Sequence, residues 1–229
     1  MLSSETFWFW ISRLGESQTL LPVALVLAVA VVLLDANRSV RSWVPALALA
    51  IALTVASKIA FMGWGLGVAS LDFTGFSGHA MLAAAIYPVL GHVFARRRLG
   101  STAWWGAAMG YGLAVLIAIS RVTTQAHSVS EAASGFALGA LASACAMGLM
   151  VRPQRRIPRW AWLGGMAWLL SMSMVGKSAA AHGAIIKVAL ALSHRTHPYE
   201  RADLHRLSNT PTSSSVQPLH RQKMVFFGH

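Results

Sequence analysis

Seven residues in the middle of the chain have the types that phosphoryl chemistry uses. They form three groups: Lys58; Ser77, Gly78 and His79; and Arg121, His127 and Glu131. Two cations can bind phosphate oxygens, one imidazole can attack phosphorus, and a carboxylate can orient that imidazole. A second imidazole can protonate the leaving oxygen. The residue types therefore favour phosphoryl transfer through a covalent intermediate.

Long apolar blocks surround these groups. Of the 229 residues, 55% are hydrophobic and 11% are charged, a composition typical of a polytopic membrane protein. A helix needs about 20 mainly apolar residues to cross the hydrocarbon core, and the uninterrupted blocks lack the alternation of a barrel strand. The sequence predicts an all-α bundle of about six transmembrane helices. They are expected at residues 18–35, 43–62, 79–95, 103–120, 131–151 and 160–177.

The arginines between the blocks predict the orientation of the bundle. Nine arginines lie in three loops, at 36–42, 96–102 and 152–159. Only Arg13 and Arg121 lie in the segments on the other side, at 1–17, 63–78 and 121–130. The positive-inside rule makes the first set cytoplasmic, so the N-terminus and all three polar groups face outward. We interpret the net charge of +12 as a topology signal, and we expect no nucleic-acid partner.

The predicted helix directions give the outer face a further property. The third and fifth spans both begin at this face, so the free N–H groups and positive dipole ends of both would point at one anion. Gly78 would let a phosphate approach the backbone closely. Small residues along the fifth span, Gly135, Gly139 and Ala142, predict close helix packing.

The rest of the chain divides into segments around one membrane domain, residues 18–177. Residues 1–17 are predicted to be an interfacial segment on the periplasmic side. Residues 178–207 are predicted to be an interfacial helix or an extension of the last span, and 208–229 a disordered basic tail.

Two motifs resemble those of a known family. The segment SRVTTQAHSVSE, residues 120–131, is similar to the signature Ser-Arg, five residues, His, three residues, Asp of the type 2 phosphatidic acid phosphatase superfamily. FSGH, residues 76–79, resembles the Pro-Ser-Gly-His motif of that superfamily. Lys58 matches the Lys of its first motif, which continues with six residues and Arg-Pro. The superfamily also includes vanadium haloperoxidases and bacterial acid phosphatases, and the chain resembles its membrane-bound lipid phosphatase branch.

The resemblance implies a role for each residue of the three groups. His127 would be the nucleophile that forms a phosphohistidine, Glu131 would hold it, and His79 would protonate the leaving group. The phosphate would be bound by Lys58, Ser77, Gly78 and Arg121. The family needs no metal for hydrolysis, so the resemblance implies neither a metal nor another cofactor.

The chain departs from the family pattern at three places. Glu131 replaces an Asp, Phe76 replaces a Pro, and Gly65 with Leu66 stands where the first motif has Arg-Pro. One phosphate-binding cation is therefore missing. Lys177, near the outward end of the sixth predicted span, is a hypothetical replacement.

Alternative interpretations apply to both the residues and the function. Ser128 and Glu131 also fit a capping box at a helix start. The favoured function is hydrolysis of a lipid-linked phosphomonoester or pyrophosphate at the outer face of a bacterial inner membrane. Phosphatidic acid, phosphatidylglycerol phosphate, undecaprenyl pyrophosphate and lipid A phosphate are all possible substrates. A phosphotransferase, or a non-catalytic lipid-phosphate binder or transporter, remains an alternative.

Overall fold

The computed structural model describes residues 4–33, 37–99, 104–148 and 180–209, with four further positions at 164, 167, 168 and 171. In this part of the chain the regular structure is helical, as predicted, with one isolated bridge between Val68 and Phe73. The helices are α1 Ser4–Arg13, α2 Ser17–Leu33, α3 Asn37–Trp64, α4 Gly78–Leu99, α5 Trp104–Thr123, α6 Val129–Gly148, α7 Ala180–Ser193 and α8 Arg201–Asn209, with a 3-10 turn at Ala69–Leu71.

Four segments of the described chain are long and apolar enough to cross a membrane: Ser42–Trp64, Gly78–Ala95, Trp104–Thr123 and Val129–Gly148. They confirm the second to fifth predicted spans. At the first predicted span, α2 is a helix of 17 residues. The sixth, residues 160–177, lies outside the described residues except at four helical positions. The described chain therefore has four candidate membrane-spanning helices, whereas the count of six and the outward N-terminus remain predictions.

The centre of the bundle is α4, which packs against α2, α3, α5 and α6. Its spanning segment is 72% buried, compared with 22% to 39% for the other three segments. Consecutive alanines at 83, 84 and 85 are fully buried, and such small side chains let neighbouring helices approach closely. The other helices leave large apolar side chains exposed, among them Leu49, Met109 and Leu141.

Two glycines of α6 fix its position against α4. A methyl group at Gly139 would lie 2.0 Å from the Met81 carbonyl oxygen, and one at Gly135 would lie 2.5 Å from the Ser77 carbonyl oxygen. Neither position has room for a larger residue, which confirms the predicted close packing. The start of α6 is thereby held against the start of α4.

The C-terminal part of the described chain contains two helices. Along α3 runs α7, where a methyl group at Gly63 would meet the Ala189 carbonyl oxygen at 3.3 Å. The chain then turns at His194, which has a positive φ of 54°. It continues to α8, which lies against the 3-10 turn. The predicted interfacial position of residues 178–207 stays a prediction.

Candidate active site

The connection between α5 and α6 returns His127 to Arg121. The backbone carbonyl of Arg121 accepts hydrogen bonds from the N–H groups of Ala126 and His127, both at 3.1 Å. Gln125 supplies the reversal with a φ of 53°. These bonds give a physical reason for the five-residue spacing in the motif, because the loop closes on the end of α5 at this length.

His127 and Glu131 form the central pair of the site. His127 Nδ1 lies 2.7 Å from Glu131 Oε2, and the carboxylate side chain is fully buried. A capping box is also present, since the Ser128 N–H donates to Glu131 Oε2 at 3.2 Å and the Glu131 N–H donates to Ser128 Oγ at 3.3 Å. Glu131 therefore caps α6 and contacts the imidazole with one side chain.

Glu131 also joins the loop that carries FSGH to the segment SRVTTQAHSVSE. Its Oε1 accepts hydrogen bonds from the Thr74 backbone N–H at 2.7 Å and from the Thr74 hydroxyl. Its backbone carbonyl accepts the Ser77 N–H at 3.0 Å. The loop before α4 is thus fixed to the first turn of α6 through both side-chain and backbone atoms.

The loop before α4 packs on Lys58. Gly75 has a φ of +147°, and a methyl group there would lie 3.1 Å from Lys58 Cγ, so this close approach requires glycine. The Phe76 N–H donates to Ser57 Oγ at 3.1 Å. Proline has no N–H, so this bond gives a reason for Phe76 in place of the family's Pro.

Burial, together with two nearby cations, favours the neutral form of His127. Burial lowers the pKa of His127 below its usual 6.5. The hydrogen bond to Glu131 and the negative charge of that carboxylate raise it, and the charges of Lys58 and Arg121 lower it. The net direction is down. A neutral imidazole with Nδ1 facing a carboxylate carries its lone pair on Nε2, the nitrogen turned away from Glu131.

Two polar atoms at the site are buried with no hydrogen-bond partner in the described part of the chain, Ser77 Oγ and Arg121 Nε. The Arg121 guanidinium is held by α1, because its Nη1 donates to Ser12 Oγ at 2.6 Å. A methyl group built at Gly78 would meet only Thr54 Cγ2, at 3.8 Å. These donors, beside Lys58 and the N-terminus of α4, form an arrangement suited to phosphate oxygens.

His79 lies in the first turn of α4, partly buried. The turn between α1 and α2 covers it, since a methyl group at Gly15 would lie 3.1 Å from His79 Cβ and 3.3 Å from its Cδ2. The same methyl group would contact Ile117 of α5 at 2.7 Å. The structure therefore places His79 next to the helix that carries Arg121.

Gly65 occupies a position that is poorly suited to arginine. It ends α3 with a φ of +70°, and its N–H donates to the Phe61 carbonyl at 2.7 Å, which makes it a left-handed C-cap. A methyl group there would lie 3.3 Å from the Tyr199 ring. The space next to Gly65 is thus taken by the C-terminal part of the chain. Lys177, the hypothetical replacement, lies outside the described residues.

Another guanidinium reaches the site from α8. Arg201 Nη2 donates to Glu131 Oε2 at 2.8 Å, and its Nη1 donates to the Asp72 carbonyl oxygen at 2.8 Å. The contacts of Arg201, Thr74 and Ser12 were not predicted from the sequence. Thr74 stands three residues before Ser77, so its proximity to the motif was the one available signal, whereas Arg201 and Ser12 lie far from every motif.

Among the described residues, no cluster of three or more His, Cys, Asp or Glu side chains is arranged to hold a metal ion. The polar groups of the site are instead cations, N–H donors, two imidazoles and one carboxylate. This set can bind an anion, attack it and protonate a leaving oxygen.

Comparison with known proteins adds three findings. The family model of the PAP2 superfamily matches residues 67–156. An uncharacterised 22.5 kDa protein in the cps region of Klebsiella pneumoniae is 35% identical over 205 residues, which cover 87% of this chain and 98% of that protein. No solved structure matches the chain significantly.

Proposed function

The chain belongs to the PAP2 superfamily, whose members are generally phosphatases, and we propose that it hydrolyses a phosphomonoester or pyrophosphate carried on a lipid. Family membership implies a phosphatase-type activity; the lipid substrate, the covalent intermediate and the periplasmic location are proposals. The observation that carries the proposal is the His127–Glu131 contact of 2.7 Å, which lies within the electrostatic reach of Lys58 and Arg121.

The proposed first step is attack of His127 on phosphorus. The Nε2 lone pair forms the N–P bond while the bond from phosphorus to the lipid oxygen breaks, and His79 donates a proton to that oxygen. Nδ1 keeps its proton and donates a hydrogen bond to Glu131, which stabilises the positive charge that develops on the ring. The phosphate oxygens are bound by Lys58, Arg121, the Ser77 hydroxyl and the Gly78 backbone N–H.

In the second step water attacks the phosphohistidine. His79, now without its proton, accepts one from the water, the O–P bond forms and the N–P bond breaks. Inorganic phosphate leaves and both histidines return to their starting states. The reaction consumes one water and needs no other reactant.

Apolar residues around the site support a lipid substrate. Leu66, Leu71 and Val129 lie in or next to the loops that carry the site residues, and they are 66%, 59% and 68% exposed. Such an apolar rim at the end of a membrane bundle can contact acyl or prenyl chains while the headgroup enters the polar site. We therefore favour lipid phosphates over soluble ones, including phosphatidic acid, phosphatidylglycerol phosphate, undecaprenyl pyrophosphate and lipid A.

A phosphate-release assay over a panel of these lipids tests the proposal. Purified protein in lipid nanodiscs with a chelator should release phosphate, vanadate should inhibit it, and His127→Ala should abolish it. His182→Ala, at an exposed position of α7, is the matched control and should retain full activity. Phosphate binding without turnover would instead indicate a binder or transporter, and labelled phosphate on an acceptor other than water would indicate a phosphotransferase.

A further inference from the structure

The chain after α7 returns across the site in a segment that we call the C-terminal arm, residues 194–209. The Tyr199 N–H donates to the Met62 carbonyl oxygen in the last turn of α3 at 2.9 Å. The Tyr199 ring covers Gly65, where the family pattern has an arginine. Two residues later, Arg201 begins α8. The arm therefore occupies the place next to Gly65 and brings a guanidinium of its own.

Arg201 connects two parts of the site. Its Nη2 donates to Glu131 Oε2 at 2.8 Å, and its Nη1 donates to both the carbonyl and the carboxylate of Asp72. The Arg201 side chain is 37% exposed, whereas that of Glu131 is fully buried. The guanidinium thus reaches from the surface to the buried carboxylate that contacts His127.

We propose that Arg201 is a positioning residue of the active site, which holds Glu131 and thereby orients the His127 imidazole. In this role the guanidinium comes from the C-terminal arm, whose Tyr199 ring covers Gly65. The inference rests on the proposed function of His127 as nucleophile.

The geometry at Glu131 Oε2 gives the physical argument. This one oxygen accepts from His127 Nδ1 at 2.7 Å and from Arg201 Nη2 at 2.8 Å. The planar guanidinium also bonds Asp72, so it fixes the carboxylate relative to the loop before α4. Without Arg201 the buried carboxylate loses one of its charged partners and part of its orientation, and the imidazole it holds becomes less well aligned.

The positive charge of Arg201 also affects the ionisation of His127. The charged groups that act on His127 are Lys58 on α3, Arg121 on α5 and Glu131 on α6, and Arg201 on α8 donates to the same Glu131 oxygen as His127. A guanidinium on the shared carboxylate disfavours a second positive charge on the ring. Removing it should therefore raise the pKa of His127.

Arg201→Met tests the inference by turnover and by NMR titration of His127. We expect kcat to fall about ten- to hundredfold with KM changed less than about threefold, and the His127 titration midpoint to move to higher pH. Arg201→Lys keeps the charge but not the planar fork, so it should restore the midpoint and only part of kcat. Arg206→Met on the same helix, where Arg206 is 82% exposed, should match the unmutated protein.

Other outcomes would overturn the inference. A lower unfolding temperature with unchanged kcat and an unchanged His127 midpoint would mean that Arg201 only holds the C-terminal arm in place. A higher KM with unchanged kcat and midpoint would make it a phosphate ligand instead. If Arg201→Met does not fold, Asp72→Asn removes one anchor of the guanidinium and should lower kcat in the same direction by a smaller factor. Unchanged kcat there would overturn the inference.

The proposed function can fail separately. If the unmutated protein releases no phosphate from any lipid, the phosphatase proposal fails, whereas the His127 titration still reports whether Arg201 acts on the imidazole. An unchanged midpoint in Arg201→Met would overturn the inference whatever the turnover.

Discussion

The backbone N–H of Ser77 donates a hydrogen bond to the backbone carbonyl oxygen of Glu131 at 3.0 Å. This bond joins the two motif-bearing segments without using a side chain. The close packing of Gly135 against the Ser77 carbonyl holds the same two segments together. Side-chain substitutions at the site should therefore leave this backbone frame in place, so their effects on catalysis can be measured separately.

Glu131→Gln should separate catalysis from helix capping. The amide keeps the size of the side chain but loses the charge that orients the imidazole and stabilises its cation, so we expect kcat to fall by about 10² to 10⁴. Ser128→Ala is the matched control. It removes the cap bond to the Glu131 N–H and should cost about 0.5–2 kcal/mol of stability with kcat nearly unchanged. If kcat of Glu131→Gln is within twofold of the unmutated value, Glu131 acts only as a helix cap.

The titration of His127 should occur below the usual pH of an imidazole. Burial lowers its pKa from 6.5, so the neutral, nucleophilic form persists as the pH falls below that value. Histidine-labelled protein should show a midpoint below 6.5, with the signal assigned by its loss in His127→Asn. Because the Glu131 hydrogen bond raises the pKa, Glu131→Gln should move the midpoint lower still. A midpoint at or above 6.5 in the unmutated protein contradicts the described electrostatics.

Gly78→Ala should weaken phosphate binding without a cost to folding. The added methyl group would meet only Thr54 Cγ2, at an ordinary contact distance of 3.8 Å, but it would project into the proposed phosphate site. We expect KM and the inhibition constant of vanadate to rise at least about tenfold, the effect of losing about 1.4 kcal/mol of binding, with the unfolding temperature unchanged. Gly112→Ala, where a methyl group would meet nothing within 4 Å, is the control. Equal KM values for the two variants would mean that phosphate does not approach Gly78.

Ser12→Ala should show whether α1 supports the site. Ser12 Oγ accepts the Arg121 Nη1 bond at 2.6 Å, and without it the guanidinium loses a fixed position next to the phosphate. A net hydrogen bond to a charged group contributes about 1.5–3 kcal/mol, so we expect KM for a lipid phosphate to rise about tenfold or more. Ser4→Ala, exposed at the start of the same helix, should leave KM unchanged. Identical KM values for both variants would exclude a role for Ser12.

The sequence allowed prediction of the helical class, four of the spans and the three polar groups. The spacings within SRVTTQAHSVSE and FSGH are local, and local spacing determines which residues share a helix end. The close packing at Gly135 and Gly139 was also predictable, because small residues at helical intervals let two membrane helices approach closely.

The supporting contacts were not predictable from the same patterns. Ser12 and Arg201 lie far along the chain from the residues they contact, and neither belongs to a periodic or spaced motif. The sequence showed that Gly65 stands where the family has an arginine. It did not show that the chain reverses after α7 and places the Tyr199 ring over this position. Contacts made by two distant segments depend on tertiary packing, which a single sequence does not encode as a local signal.

In the proposed mechanism His127 carries the phosphoryl group during turnover. The most direct test is to quench the protein during reaction with a ³²P-labelled lipid phosphate and to map the labelled residue. The proposed mechanism predicts label on His127 that is stable in alkali and lost in acid, as expected of a phosphorus–nitrogen bond, and absent from His127→Ala. Label on another residue, or full phosphate release by His127→Ala, would contradict it.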